Sequence, residues 1–408
     1  MSHPSLPIKP QDYAPPAQIG RWASYSLTTG VIFSVLAVVG WFLKPALFYR
    51  AWLVAFLFWL GMTLGSLTLL MMQYVSGGNW GRIGRRFWEA AASLIWLMAI
   101  LWLPIAFGMK ELFSWTQPDA VASLGWQKLH YYLNTPFFLV RALIYFVGWG
   151  LLYRFLMNWS KKEEAGLTTP AQFVRVQNVS AFGIVFYAVT ITFASIDWAM
   201  SLKPDWWSTV WGMLFMVGEV LTAFCFTIWL LVKLAPVEPL SRMFKIDYLH
   251  DFGKLMFTFV VLWAYLSFSQ WLIIWSGNLL SEIRWYVMRL NGGWQYFGTF
   301  LIFVHFVFPF ALLLSRNLKR QGPRLVRIAL LLLFMRLVDL FWYTAPTFYP
   351  GETTAFTNFG WADGALYVIC PIALGGIWLF FFFNRLQKRS LLPVNDPHFV
   401  EMLEAKHG

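Results

Sequence analysis

The chain reads as an all-α, polytopic membrane protein with about ten transmembrane helices. Two observations carry that reading. Ten stretches of about 20 residues are almost free of charge, and together they fill over half of the 408 residues. The composition is 59% apolar, 20% aromatic and only 12% charged, far from the roughly 45–50% apolar and 25% charged balance of soluble domains. A bilayer core of ~30 Å takes roughly 20 helical residues to cross, and backbone in lipid must satisfy its own hydrogen bonds. Each stretch is therefore expected to be a spanning helix.

Residues 1–23 precede the spans. Their first 20 hold five prolines and no apolar run, which predicts an extended cytoplasmic tail and not a cleavable signal. The first span, 24–43, is then the segment that directs insertion. The second, 51–75, leads through a basic turn into the third, 88–108. The fourth, 135–157, carries Arg141, and the fifth, 177–197, ends on Asp197. The sixth, 208–234, holds Glu219. The seventh, 252–275, starts beside His250 and Asp251 and contains Lys254. The eighth, 294–315, holds His305; the ninth, 323–345, holds Arg336 and Asp339; the tenth, 365–384, leads into a second tail, 385–408.

The net charge of +12 raises the question of nucleic acid, but the cations sit between spans and on one side. If the N-terminus lies inside, internal segments carry 21 Lys and Arg against 7 outside, with Arg141, Lys254 and Arg336 within spans. That bias places both termini in the cytoplasm and makes the charge a matter of orientation, with no nucleic-acid partner. Trp206, Trp207, Trp285, Tyr286 and Trp294 cluster at span ends, where an amphipathic ring suits the headgroup layer.

Absent residue types narrow the chemistry. The two cysteines, Cys225 and Cys370, both fall inside spans, which leaves no haem c attachment site and no iron–sulfur ligand set. Of six histidines, His3, His398 and His407 are in tails, His130 and His250 lie near span ends, and only His305 is well inside a span, an arrangement that argues against haem b. No glycine-rich phosphate loop supports ATP-driven transport.

A charge at mid-bilayer costs at least ~2.5–3.5 kcal/mol, so ionisable residues inside spans are the strongest local pointers to function. Glu219 and His305 each lie eleven residues into spans that start on the same side, at about 16 Å depth. They suit either a proton-carrying role or hydrogen bonding within a core. Arg336 and Asp339 are spaced i,i+3 and can pair on one helix face, as a structural pair or as part of the same proton path. His250, Asp251 and Lys254, with Glu89, sit at inner span ends, either as the mouth of that path or as interfacial residues. Arg141 can snorkel. His130 and Asp197 lie near the same outer end. Asp197 and Asp205 flank the turn SIDWAMSLKPDWWST, whose three tryptophans suit either an interfacial anchor or a docking surface.

The run Phe193-Ala194-Ser195-Ile196-Asp197-Trp198-Ala199-Met200-Ser201-Leu202, then Pro204 and Trp207-Ser208-Thr209, resembles the FAS-x-DW-x-MSL-x-P…ST signature of the ActF-type membrane subunits of alternative complex III. That complex is the bacterial quinol:cytochrome c oxidoreductase, and these subunits belong to the NrfD-like, or polysulfide-reductase, membrane-anchor group. Two further blocks are similar. One is His250 to Lys254 running into Trp263, Ala264, Tyr265, Ser267 to Gln270, Trp275 and Asn278; the other is Ser76 to Gly78, Trp80, Gly81, Arg85, Arg86 and Glu89. The likeness covers most of the chain. After Asn278 the chain departs, with Leu279-Leu280-Ser281-Glu282-Ile283 where the family often shows a proline and paired glutamates.

The resemblance implies two four-helix bundles, about 51–197 and 208–345, flanked by the first and last helices, in a bacterial inner membrane. It implies no cofactor in this chain. Iron–sulfur clusters and haem c would sit on extracytoplasmic partner subunits, quinol would be the substrate of the complex, and a homologous NrfD-like sister subunit and small membrane subunits would complete it. This chain would brace the sister or conduct protons. The alternatives are a stand-alone NrfD-like quinol dehydrogenase anchor, in which Arg141, His130 and Asp197 would supply a pocket for the quinol headgroup near the outer face, and a secondary transporter. A transporter is expected to show Gly/Pro breaks matched between repeats, whereas Pro104, Pro309, Pro346 and Pro371 do not match one another and no internal repeat is visible.

Overall fold

The structure, a computed structural model, describes residues 14–78, 80–118, 126–167, 169–349 and 359–392. The described residues form helices and no strand. Most of both tails, 1–13 and 393–408, lies outside them. The principal helices are α1 (Gln18–Leu43), α2 (Pro45–Ser76), α3 (Arg85–Ala92), α4 (Ile95–Phe107), α5 (Thr135–Glu164), α6 (Pro170–Trp198), α7 (Trp211–Leu234), α8 (Ile246–Gly277), α9 (Leu280–Leu290), α10 (Trp294–Leu313), α11 (Gly322–Thr344) and α12 (Trp361–Leu386).

Among the described residues, eight helices are long and apolar enough to cross a membrane, and α3 with α4 makes a ninth candidate bent by 41°. The third predicted span is therefore divided between two helices. At the break the Ser93 hydroxyl donates to the Ala90 carbonyl at 2.6 Å, a local bond that competes with the helical ladder. α11 is 23 residues long but carries Arg324, Arg327, Arg336 and Asp339. The other predicted stretches each fall largely on one of these helices. Starts follow local chemistry: Asn134 caps α5 by accepting from the Phe137 N–H at 2.9 Å, and Thr169 and Gln172 form a reciprocal capping box at the head of α6, each satisfying N–H groups the first turn leaves open.

α2 and α7 are the hubs. In their apolar windows 89% and 83% of residues are buried, against 11% for α1, so their all-round hydrophobicity faces protein and not lipid. α2 packs on α4 and α6, and α5 joins α4 to α6; α7 packs on α8 and α11, with α10 against both. α1 lies along α12, and α12 along α2, where the Trp59 and Trp378 indoles donate to Pro371 O and Thr63 Oγ1 at 2.9 Å each. α2 meets α7 closely because Gly61 and Gly65 face it: a Cβ on Gly65 would lie 2.1 Å from the Glu219 carbonyl oxygen. Small residues four apart are a recurrent way to bring membrane helices together. Gly65→Leu is expected to separate the hubs and cost more than the about 1–3 kcal/mol of ordinary overpacking. Gly364→Ala, whose added Cβ meets only Phe359 Cε1 at 3.7 Å, serves as the control. Equal melting of the two variants in detergent would rule out this seam.

The connection between the seventh and eighth predicted spans contains α9, folded across the end of α11. Buried Arg289 donates to the Trp342 and Tyr343 carbonyls and stacks 3.5 Å above the Trp285 ring. A cation at the last carbonyls of a helix is where the helix dipole favours it.

Candidate functional site

The titratable groups singled out in mid-chain gather where α6, α7, α8, α10 and α11 converge. Glu219, on the buried face of α7, is 3% exposed and accepts from the Tyr187 hydroxyl of α6 at 2.6 Å. Arg336 and Asp339 of α11 pair as their i,i+3 spacing predicts, and both are buried. Gly218 makes room for the guanidinium, since a Cβ there would sit 2.1 Å from Arg336 Cζ. On the other side, the Trp263 indole of α8 donates to Asp339 Oδ2 at 3.2 Å. Its ring lies flat on His305, with centroids 4.1 Å apart and planes 1° from parallel.

His305 sits in a π-helical turn, Leu301–Val307. Pro309 explains the turn: it has no N–H for the His305 carbonyl, and its ring crowds that carbonyl. Such turns recur at functional sites. Neither His305 nitrogen makes a hydrogen bond of good geometry, and the Met335 main chain is the polar group nearby. Glu219 and His305 do not meet directly; Arg336 is within Coulombic reach of both. The arrangement is a carboxyl, a phenol, an ion pair and an imidazole in one apolar interior, capable of holding and exchanging a proton.

His250, Asp251 and Lys254 lie at the start of α8, where Lys254 Nζ meets Asp251 Oδ1 at 3.1 Å on an exposed face. From Asp251 to Trp263 the helix runs about 18 Å, and between Lys254 and Trp263 only Thr258 is polar. Side chains of α8 alone do not link these residues to the cluster.

Arg141 and Asp197 come together as a bidentate pair, Nε to Oδ2 and Nη2 to Oδ1, both at 2.8 Å. The Tyr145 hydroxyl also donates to Asp197 at 2.8 Å, Arg141 donates to the Tyr132 carbonyl at 3.0 Å, and the guanidinium lies over the Tyr132 and Phe137 rings. Arg141 thus turns inward to a partner instead of snorkelling. His130 is exposed, at the end of the short helix Trp126–Tyr131, with its ring 5.0 Å from that of Tyr131.

Glu89, expected at the water-facing end of a span, is 2% exposed. It accepts from Arg85 at 3.0 Å, Arg86 at 2.8 Å, Ser160 at 2.6 Å and Arg389 at 2.9 Å, while Arg85 also pairs with Glu163 and Arg389 with Glu164. Arg389 follows α12 and ties it to α3 and α5. Among the described residues, no three His, Cys, Asp or Glu side chains come together as a metal site.

No protein-family model matches the chain, and no curated protein matches it.

Proposed function

We propose that this chain is an NrfD-like integral membrane subunit of a respiratory quinol:cytochrome c oxidoreductase, and that the cluster around Glu219, Arg336, Asp339 and His305 passes protons. The observation that carries the reading is the cluster itself. Four ionisable side chains are kept inside helices that are otherwise apolar, against an insertion cost of at least ~2.5–3.5 kcal/mol for each charge near mid-membrane. The Tyr187 hydroxyl fixes one Glu219 oxygen and leaves the other free to gain or lose a proton, while Arg336 balances charge between the two ends of the set.

In this reading α2, α4, α5 and α6 form one four-helix bundle and α7, α8, α10 and α11 the second, with α1 and α12 flanking. Both termini face the cytoplasm of a bacterial inner membrane. Asp251, Lys254 and His250 stand at the inner mouth, and the apolar stretch above them makes the inner leg depend on water entering between helices. The Arg141–Asp197 pair braces α5 against α6 beneath the Trp-rich turn, which offers half-exposed Trp207 to extracytoplasmic iron–sulfur and haem c subunits. Quinol is the substrate of the complex, held chiefly by the homologous sister subunit.

The test is Glu219→Gln in the complex purified from its own membranes. The variant keeps shape and hydrogen bonding but cannot titrate. Haem c and iron–sulfur proteins are expected to co-purify as in the wild type, while protons moved per electron fall. An unchanged proton-to-electron ratio would remove the relay, and purification of the chain without redox partners would remove the complex.

A further inference from the structure

α8, α9, α10 and α11 enclose a cleft of about 730 Å³ that meets the proton cluster only at Trp263 and Asp339 and whose open space that reading leaves without a role. Its walls are largely aromatic and aliphatic: Trp263, Phe268, Trp271, Phe306 and Trp342 among them. Its rim carries Tyr265, Phe268 and Ile302, which are 57–64% exposed, so the mouth lies on the apolar flank of the helices and not at their ends. The floor is polar. Asp339 is 0% exposed, and its Oδ1 has no hydrogen bond of good geometry, with the Tyr343 hydroxyl close by. The Trp342 indole nitrogen, buried and also without an acceptor, lines the same space. A second polar edge runs from Ser208 through Gln270 to Tyr286, with contacts of 2.9 and 3.1 Å.

Buried polar atoms without partners are costly, on the order of 1–3 kcal/mol each. A ligand that supplies a donor to Asp339 and an acceptor to Trp342 would recover that loss. We infer that the cleft binds an amphiphile with a long hydrocarbon chain and an uncharged, hydroxyl-bearing head, the head on Asp339 and Trp342 and the chain leaving past Phe268 and Ile302. A phosphate head does not fit this floor. Of the guanidiniums at hand, Arg336 is already paired with Asp339, Arg289 is committed to three main-chain carbonyls and the Thr347 hydroxyl, and a carboxylate faces the space. The flat aromatic walls suit a ring, and a glycerol hydroxyl meets the same polar floor, so two natural sources share this chemistry.

Gly298 gives the test its handle. It lines the cleft, and the three atoms nearest a Cβ there all belong to the Trp342 side chain, at 3.5 Å or more, so a larger side chain there reaches the empty space before it strikes backbone. Binding of three probes to the whole detergent-solubilised protein is measured by native mass spectrometry: a decyl-substituted hydroquinone kept reduced, dioleoylglycerol and dioleoylphosphatidylglycerol. Retention of either uncharged probe, weakened at least about tenfold by Gly298→Leu and little changed by Gly298→Ala, is the expected result, and the probe retained identifies the source. Retention of the phospholipid alone, of no probe, or equal retention in wild type and Gly298→Leu overturns the assignment. If Gly298→Leu melts early, Thr299→Trp, at the same wall, takes its place. Occupancy is read without any proton measurement, so this outcome and that of the Glu219→Gln experiment are independent.

Discussion

Asp197→Ala is expected to lower the stability of the folded chain by about 3–5 kcal/mol, the usual cost of stripping one partner from a buried ion pair. The variant leaves Arg141, 6% exposed, without the carboxylate that takes its Nε and Nη2 protons at 2.8 Å, and leaves the Tyr145 hydroxyl without its acceptor. What remains for the cation is the Tyr132 carbonyl and two aromatic faces at 4.1 and 4.4 Å. Cation–π contacts contribute about 0.5–2 kcal/mol, too little to offset the loss. Asp197→Asn, which keeps one acceptor oxygen, should fall between. The double change Arg141→Leu with Asp197→Leu should recover most of the loss, since the uncompensated charge goes with its partner. Thermal melting in detergent decides: a double variant no more stable than Asp197→Ala would show that the pair does not act as a unit.

The second large effect is expected at Glu89. Glu89→Ala takes the shared anion from Arg85, Arg86 and Arg389 and leaves three cations facing Glu163 and Glu164. The loss should again be about 3–5 kcal/mol, with Glu89→Gln milder because Ser160 and one arginine keep an acceptor. The consequence is also positional. Arg389 holds the segment after α12 against α3 and α5, so Glu89→Ala should expose that segment to protease at Arg389, whereas Arg327→Ala, an exposed cation on α11, should not. Cleavage at equal rates in the two variants would refute the clamp.

The apolar runs were legible because a helix in lipid cannot hide charge, and each predicted stretch is largely helical, the third in two pieces. So was the Arg336–Asp339 pair, since its spacing alone puts both on one face. The rest depended on contacts between distant residues. Nothing in the chain order links Tyr187 to Glu219 or Trp263 to His305, and a tyrosine or tryptophan inside a span reads as core. Glu89 looked water-facing because its position near a span end was visible and the arrival of Arg389, 300 residues later, was not. The π turn had a sequence signal in Pro309 four residues after His305, but a proline near a span end has several outcomes. α9 was missed for a different reason: eleven amphipathic residues between two spans resemble any polar connection until the far end of α11 is there to receive them.

The pairing of α1 with α12 also sets an order in time. Leu43 ends one helix and Trp361 begins the other, so the ribosome makes some 300 residues between them, roughly 15–60 s of synthesis at about 5–20 residues per second. For that interval α1 has to persist without its main neighbour. It is equipped for the wait: after Arg21 it carries no charged side chain, and its flank of Val31, Ile32, Val35, Val38 and Val39 stays exposed even in the finished fold. Completion of the fold is thus a late capture, in which a helix already resident in lipid receives the one that closes the molecule.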